Sequence, residues 1–262
     1  MTPLRVGAVG YLNARPLTWA LDRDAERWQV RYDVPAVCAD LLRSGQVDLG
    51  LTPSIEYLFG EDYRFVPGVG IGSDGPVASV ALYTTGPVAD VRTIALDTSS
   101  RTSVTLIKVL CRHAFGISPT FVNAPPDLRA MTSAHGAAVL IGDPAFEADH
   151  ESLGLLKTDM GETWRQMTGL PFVYAAWTGR PGAVTARDIE ALVAAQADGL
   201  AHIPEIAAEY AAGDPAGQAR AARYLRDNVR YALGEPERRG LQLFLDHAAD
   251  LGLGPRRQVL FF

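Results

Sequence analysis

The stretch Val77-Ala78-Ser79-Val80-Ala81-Leu82-Tyr83-Thr84-Thr85-Gly86-Pro87 decides the fold. Residues 77–84 are almost wholly apolar and read as a buried strand, and Gly86-Pro87 punctuates its end. After this point the alternation of strands and helices begins afresh. Residues 93–96 read as a strand and 100–115 as a helix with Val104, Ile107, Cys111 and Ala114 on one face. A second apolar strand, 172–177, closes the restarted block, and the pattern beyond it is helical. Thr185 and Asp188 mark a cap, and Leu241, Phe244, Leu245 and Ala248 follow at helical spacing. A restart followed by a return predicts two lobes. Residues 1–86 plus 178–262 form a discontinuous lobe one, and 87–177 form an inserted lobe two. Strands 77–84 and 172–177 then cross between them.

The flanking sequence gives the class. Strand 4–9 ends at Gly10, Pro16 opens a helix to 21, and 30–34 alternates. Pro35 opens a helix closed by Gly45, 47–51 is a strand, and Pro53 starts a short helix. Residues 120–123 and 137–141 are further strands, and Asp159 with Glu162 resembles a capping box opening a helix to 168. Strand–helix alternation with Pro in the first helical turn predicts an α/β fold with mainly parallel sheets. Ligands of such folds bind outside the carboxyl ends of the strands, so the cleft between lobes is the place for a site.

The 262 residues are 48% hydrophobic and 21% charged, which excludes a disordered or fibrous chain. No apolar run approaches the roughly 20 residues of a membrane span. A net charge of −6 argues against a nucleic-acid surface. Met1-Thr2-Pro3-Leu4-Arg5-Val6 runs into the first strand without the marks of a secretory leader, so the expected location is cytoplasmic. Cys38 and Cys111 stand alone, outside any CxxC, and read as buried thiols.

Two apparent motifs lead nowhere. Gly70-Ile71-Gly72-Ser73-Asp74-Gly75 matches GxGxxG, but Pro76 and a strand follow where a dinucleotide site needs a helix. The histidines at 113, 135, 150, 202 and 247 share no ligand spacing, so neither a metal nor a cofactor is expected. Four polar loops that border predicted strands carry more promise. In Tyr11-Leu12-Asn13-Ala14-Arg15-Pro16, Asn13 is either a helix cap or an amide facing the cleft. In Gly75-Pro76-Val77-Ala78-Ser79-Val80, Ser79 interrupts an apolar strand. In Asp97-Thr98-Ser99-Ser100-Arg101-Thr102-Ser103, hydroxyls and a guanidinium crowd a helix N-terminus, which favours a carboxylate ligand. In Ile141-Gly142-Asp143, the aspartate has three open roles: cap, substrate partner or acid/base.

Taken in order, these blocks resemble a known family. Tyr11-Leu12-Asn13 with Pro16-Leu17, Val47-Asp48-Leu49-Gly50-Leu51 with Pro53-Ser54, and Gly75-Pro76-Val77 with Ser79-Val80 come first. Asp97 with Ser100-Arg101-Thr102-Ser103-Val104, Ile141-Gly142-Asp143, and Trp164 with Thr168-Gly169-Leu170-Pro171-Phe172 follow. The chain is similar to the chorismate dehydratases of the futalosine route to menaquinone, from about residue 4 to 177 and more loosely beyond.

The resemblance implies a two-lobe fold like the type II periplasmic binding proteins, with a cleft between lobes, used as a cytoplasmic enzyme. Its activity would be a hydro-lyase reaction: chorismate loses water to give 3-[(1-carboxyvinyl)oxy]benzoate. Asn13, Ser79 and Asp143 are the expected catalytic residues. Tyr11, Ser100, Arg101, Thr102, Ser103 and Phe172 are expected to bind substrate. The preferred base is the substrate's own enolpyruvyl carboxylate, with Asp143 as the protein alternative. No cofactor, metal, nucleic acid or membrane is implied, and the chain is expected to be a monomer or homodimer. Two other readings remain. One is 1,4-dihydroxy-6-naphthoate synthase, the sister activity, whose opening block and cleft histidine this chain lacks. The other is a binder of small organic anions without chemistry.

Overall fold

The protein, described here over residues 2–262 as a computed structural model, is built on two mixed sheets. In chain order the strands are β1 (Leu4–Val9), β2 (Trp28–Asp33), β3 (Leu49–Pro53), β4 (Arg64–Ser73), β5 (Val80–Thr84) and β6 (Thr93–Asp97). Then come β7 (Thr120–Ala124), β8 (Ala137–Ile141), β9 (Leu156–Asp159), β10 (Phe172–Gly179) and β11 (Arg230–Leu233). The helices are α1 (Arg15–Thr18), α2 (Pro35–Arg43), α3 (Arg101–Leu110), α4 (Leu128–His135) and α5 (Gly142–Phe146). They continue with α6 (Met160–Thr168), α7 (Ala186–Ala201), α8 (Ile203–Tyr210), α9 (Pro215–Arg223) and α10 (Glu235–Asp250).

The first sheet has the order β11-β4-β10-β3-β1-β2 and the second β7-β6-β8-β5-β9. Both contain the same four-strand unit. In β2-β1-β3-β10 and in β7-β6-β8-β5, three parallel strands are followed by one antiparallel strand. That antiparallel strand is in each case the one delivered when the chain crosses from the other sheet. Thus β5, expected at the margin of lobe one, pairs with β8 and β9 and belongs to the second sheet. Strand β10, expected at the margin of lobe two, pairs with β3 and β4 and belongs to the first.

Local sequence accounts for the helix ends. Pro35 occupies the first turn of α2, and Thr185 with Asp188 forms a reciprocal capping box on α7. The helix expected over 100–115 keeps α-geometry only to Leu110. A wider turn over Cys111–Phe115 follows, ended by Gly116 at φ +66. Strand β4 has no counterpart among the sequence-based expectations, because its glycines break the apolar pattern. It is a strand because neighbouring backbone approaches where a side chain would stand: a Cβ on Gly72 would lie 2.6 Å from the Phe172 carbonyl oxygen.

One core runs through both sheets, joining Leu82, Leu96 and Leu106 to Trp164, Phe172 and Phe244. Trp164 is fully buried with its indole N–H donated to the Pro171 carbonyl at 3.2 Å, so the ring is buried without an orphaned donor. A second core under the first sheet includes Leu12, Leu17, Trp28, Trp177 and Tyr224. Both cysteines are buried free thiols, and burial pushes each pKa up to about 12. No helix among the described residues is long and apolar enough to cross a membrane.

Candidate active site

A small, partly open cavity of about 50 Å³ lies where the two sheets face each other. The carboxyl ends of parallel strands build it. Val9, Tyr11 and Asn13 come from the end of β1, and Pro53 from the end of β3. Ser100, Thr102 and Ser103 follow β6, Ile141 ends β8 and Gly142 follows it. Val77 and Val80 complete one wall from the crossover into β5, and Ile71, Tyr174 and Ala175 another from β4 and β10. All four loops singled out by sequence contribute.

Asn13 does not cap a helix. Its backbone carbonyl accepts from the Tyr231 hydroxyl at 3.0 Å, which leaves the side-chain amide on the cavity wall beside the Tyr224 hydroxyl. That hydroxyl donates to Ser79 Oγ at 2.7 Å, and both Ser79 and Tyr224 are buried. Burial pushes the Tyr224 phenol well up, so it stays protonated and remains a donor. Asn13, Tyr224 and Ser79 therefore form one polar cluster in which Ser79 stands behind the wall rather than in it. Tyr224 and Tyr231 sit in the helical and strand segments near the C-terminus, and no motif in the sequence points to them.

At the N-terminus of α3, Ser100 caps the helix by accepting from Ser103 N at 3.2 Å, and its hydroxyl also lies 3.0 Å from Ser103 Oγ. Thr102 Oγ1 accepts the Ile55 N–H at 3.2 Å across the cleft. Buried Asp97 holds the loop before them: its Oδ1 accepts from Ser99 N (2.8 Å) and Ser99 Oγ (2.6 Å), and its Oδ2 from Ile141 N (3.3 Å). The hydroxyls and the helix N-terminus thus make a donor-rich end suited to a carboxylate.

Four expected site residues lie elsewhere than the cavity wall. Arg101 points away from the cavity: it pairs with Asp40 at 2.9 Å and with the buried carboxylate of Glu56 at 2.9 Å, bridging the two sheets' helices. Phe172 is core, packed on Trp164, Tyr174 and Phe244; its neighbour Tyr174 lines the cavity instead. Ser79 lies behind the wall, hydrogen-bonded to Tyr224. Asp143 accepts from Leu12 N at 2.9 Å, joining α5 to the loop that carries Asn13. Burial raises the Asp143 pKa, opposed by that N–H and by the nearby Arg15 guanidinium.

The wall itself holds hydroxyls, one amide and apolar groups. Among the described residues that line it there is no carboxylate, histidine, lysine or arginine. No group of three metal-binding side chains occurs among the described residues.

The architecture is shared with solved proteins of the periplasmic-binding-protein-like class. The alkanesulfonate-binding protein SsuA from Xanthomonas axonopodis pv. citri aligns with a TM-score of 0.70 at 17% identity, covering 99% of this chain and 96% of that one. Protein AF1704 from Archaeoglobus fulgidus aligns with a TM-score of 0.75 at 17% identity, covering 96% and 98%. Sequence is more specific than fold. Residues 4–250 match the family described as menaquinone biosynthesis, and this chain belongs to that family. A relative from Thermus thermophilus, named chorismate dehydratase, is 34% identical over 267 aligned positions, covering 94% of this chain and 95% of the relative.

Proposed function

We propose that this protein is a chorismate dehydratase, a cytoplasmic hydro-lyase converting chorismate to 3-[(1-carboxyvinyl)oxy]benzoate in menaquinone biosynthesis. The near full-length similarity to a protein of that name carries the reading, and the cavity chemistry supports it. The ring carbon bearing the enolpyruvyl ether gives up its proton, and the electron pair spreads towards the ring carboxylate. It then expels the hydroxyl on the neighbouring carbon, which departs with a proton as water and leaves an aromatic ring. Donors on the ring carboxylate stabilise that charge more in the transition state than in the ground state. Ser100, Ser103 and Thr102 at the start of α3 are suited to this role.

The absence of any ionisable base other than tyrosine from the described wall favours the substrate's enolpyruvyl carboxylate as the proton acceptor. Asn13, backed by Tyr224 and Ser79, would orient the ring hydroxyl and side chain so that this carboxylate reaches the ring proton. Positioning of this kind is worth roughly 7–11 kcal/mol. The reading predicts that Asp143→Asn keeps measurable turnover of chorismate while Asn13→Ala loses most of it. An Asp143→Asn protein that binds chorismate without turning it over would make Asp143 the base and overturn the substrate-assisted mechanism.

A further inference from the structure

The crossover into β5, Gly75-Pro76-Val77-Ala78-Ser79, contains an alanine at φ +67. A residue with a Cβ disfavours this left-handed conformation, so its surroundings must impose it. They do so through main-chain hydrogen bonds. Asn228 Nδ2 donates to the Pro76 carbonyl at 3.0 Å. The Asp159 carboxylate accepts from Val77 N at 3.0 Å and from Ala78 N at 2.7 Å. Lys157 Nζ donates to the Ala78 carbonyl at 2.9 Å. The Ser79 carbonyl accepts from Gly142 N at 2.8 Å, which ties the turn to the loop after β8.

The same Asp159 carboxylate also caps α6, accepting from Gly161 N at 2.9 Å and Glu162 N at 3.0 Å. One side chain thus gathers four backbone N–H groups, two from a helix N-terminus and two from the crossover. Gly161 is required beside it, because a Cβ there would lie 2.7 Å from the Gly75 carbonyl oxygen. Asp159 and Lys157 both stand on β9, which pairs with β5, and neither lines the cavity.

We propose that Asp159 and Lys157 are positioning residues for the active site. They hold Ala78 left-handed, and the turn in turn fixes Ser79 against Tyr224 and places Val77 and Val80 in the cavity wall. The catalytic part of this statement rests on the reading of Asn13, Tyr224 and Ser79 given above; the structural part does not.

The test separates capping from clasping. Asp159→Ser keeps a side chain that caps α6 but is too short to reach Val77 and Ala78. In the full-length protein it should raise amide hydrogen exchange at Val77 and Ala78 at least tenfold. It should also lower kcat for chorismate at least tenfold, with KM changing less. Adding Ala78→Gly, which adopts positive φ without strain, should recover part of the lost kcat. A residue that served only to cap α6 would show no such recovery. Unchanged exchange at the two amides in Asp159→Ser, or a kcat loss that Ala78→Gly leaves untouched, overturns the proposal. If wild-type protein does not turn over chorismate, the functional reading falls, and the exchange comparison still decides the clasp.

Discussion

Gly142 is the position where backbone and site constraints meet most sharply. It follows β8, has φ +64, and lines the cavity. A Cβ there would lie 2.5, 2.6 and 2.9 Å from Cδ2, Cε2 and Cγ of Tyr11, the body of the ring rather than a flexible tip. Gly142→Ala therefore incurs two separate penalties. The left-handed backbone costs about 1–2 kcal/mol. Displacing the ring from a packed wall adds about 1–3 kcal/mol. Urea unfolding should show a total loss of about 2–5 kcal/mol, and KM for chorismate should rise because Tyr11 is part of the wall. The control is Tyr11→Ala. With the ring removed, the added cost of Gly142→Ala should shrink to the backbone share, about 1–2 kcal/mol. A Gly142→Ala protein as stable as wild type, or an equal loss in both backgrounds, would refute this account of the site wall.

Two other substitutions test the electrostatics. Arg101→Met should cost about 1 kcal/mol of stability, because Asp40 is exposed and Arg43 still pairs with Glu56. Steady-state kinetics should find KM for chorismate within about threefold of wild type; a hundredfold rise would mean that Arg101 reaches the substrate after all. Asp143 carries a pKa raised by burial, so the folded state binds its proton more tightly than the unfolded chain. Its ionisation therefore costs stability, progressively as pH rises through the folded-state pKa, and costs nothing below the ordinary carboxylate range. Asp143→Asn, which still accepts from Leu12 N, should be more stable than wild type at neutral pH. Urea midpoints measured against pH should converge as the solution is acidified; divergence towards acid would contradict the sign.

The loops that line the cavity stand out in the sequence because strand ends in α/β folds are punctuated by Gly, Pro and capping residues. The cavity lies at the loops after β1, β6 and β8 and at the crossover before β5, as the polar interruptions there indicated. What sequence could not resolve was direction. Ser100, Arg101, Thr102 and Ser103 form one polar run, yet the hydroxyls line the cavity while Arg101 is drawn off by Asp40 and Glu56, more than 40 positions earlier. Phe172 and Tyr174 stand two residues apart on one strand with their rings in contact, in a region too apolar to say which lines the cavity.

Other parts were illegible for a different reason. Gly70 and Gly72 of β4 look like a loop until the Ala175 and Phe172 carbonyls of β10 are seen to stand where their side chains would be. Tyr224 and Tyr231 reach the site only because the C-terminal helices fold back over the first sheet, a contact with no local signature. The left-handed Ala78 and its clasp by Asp159 join residues about 80 positions apart, and only the paired strands β5 and β9 bring them together.

The central claim is that this cavity dehydrates chorismate. The direct measurement is to incubate the purified protein with chorismate and identify the products by mass spectrometry and NMR. The account predicts a single product that has lost one water and is identified as 3-[(1-carboxyvinyl)oxy]benzoate. Chorismate recovered unchanged from folded protein that it stabilises against heat would instead make the chain a passive binder of small organic anions.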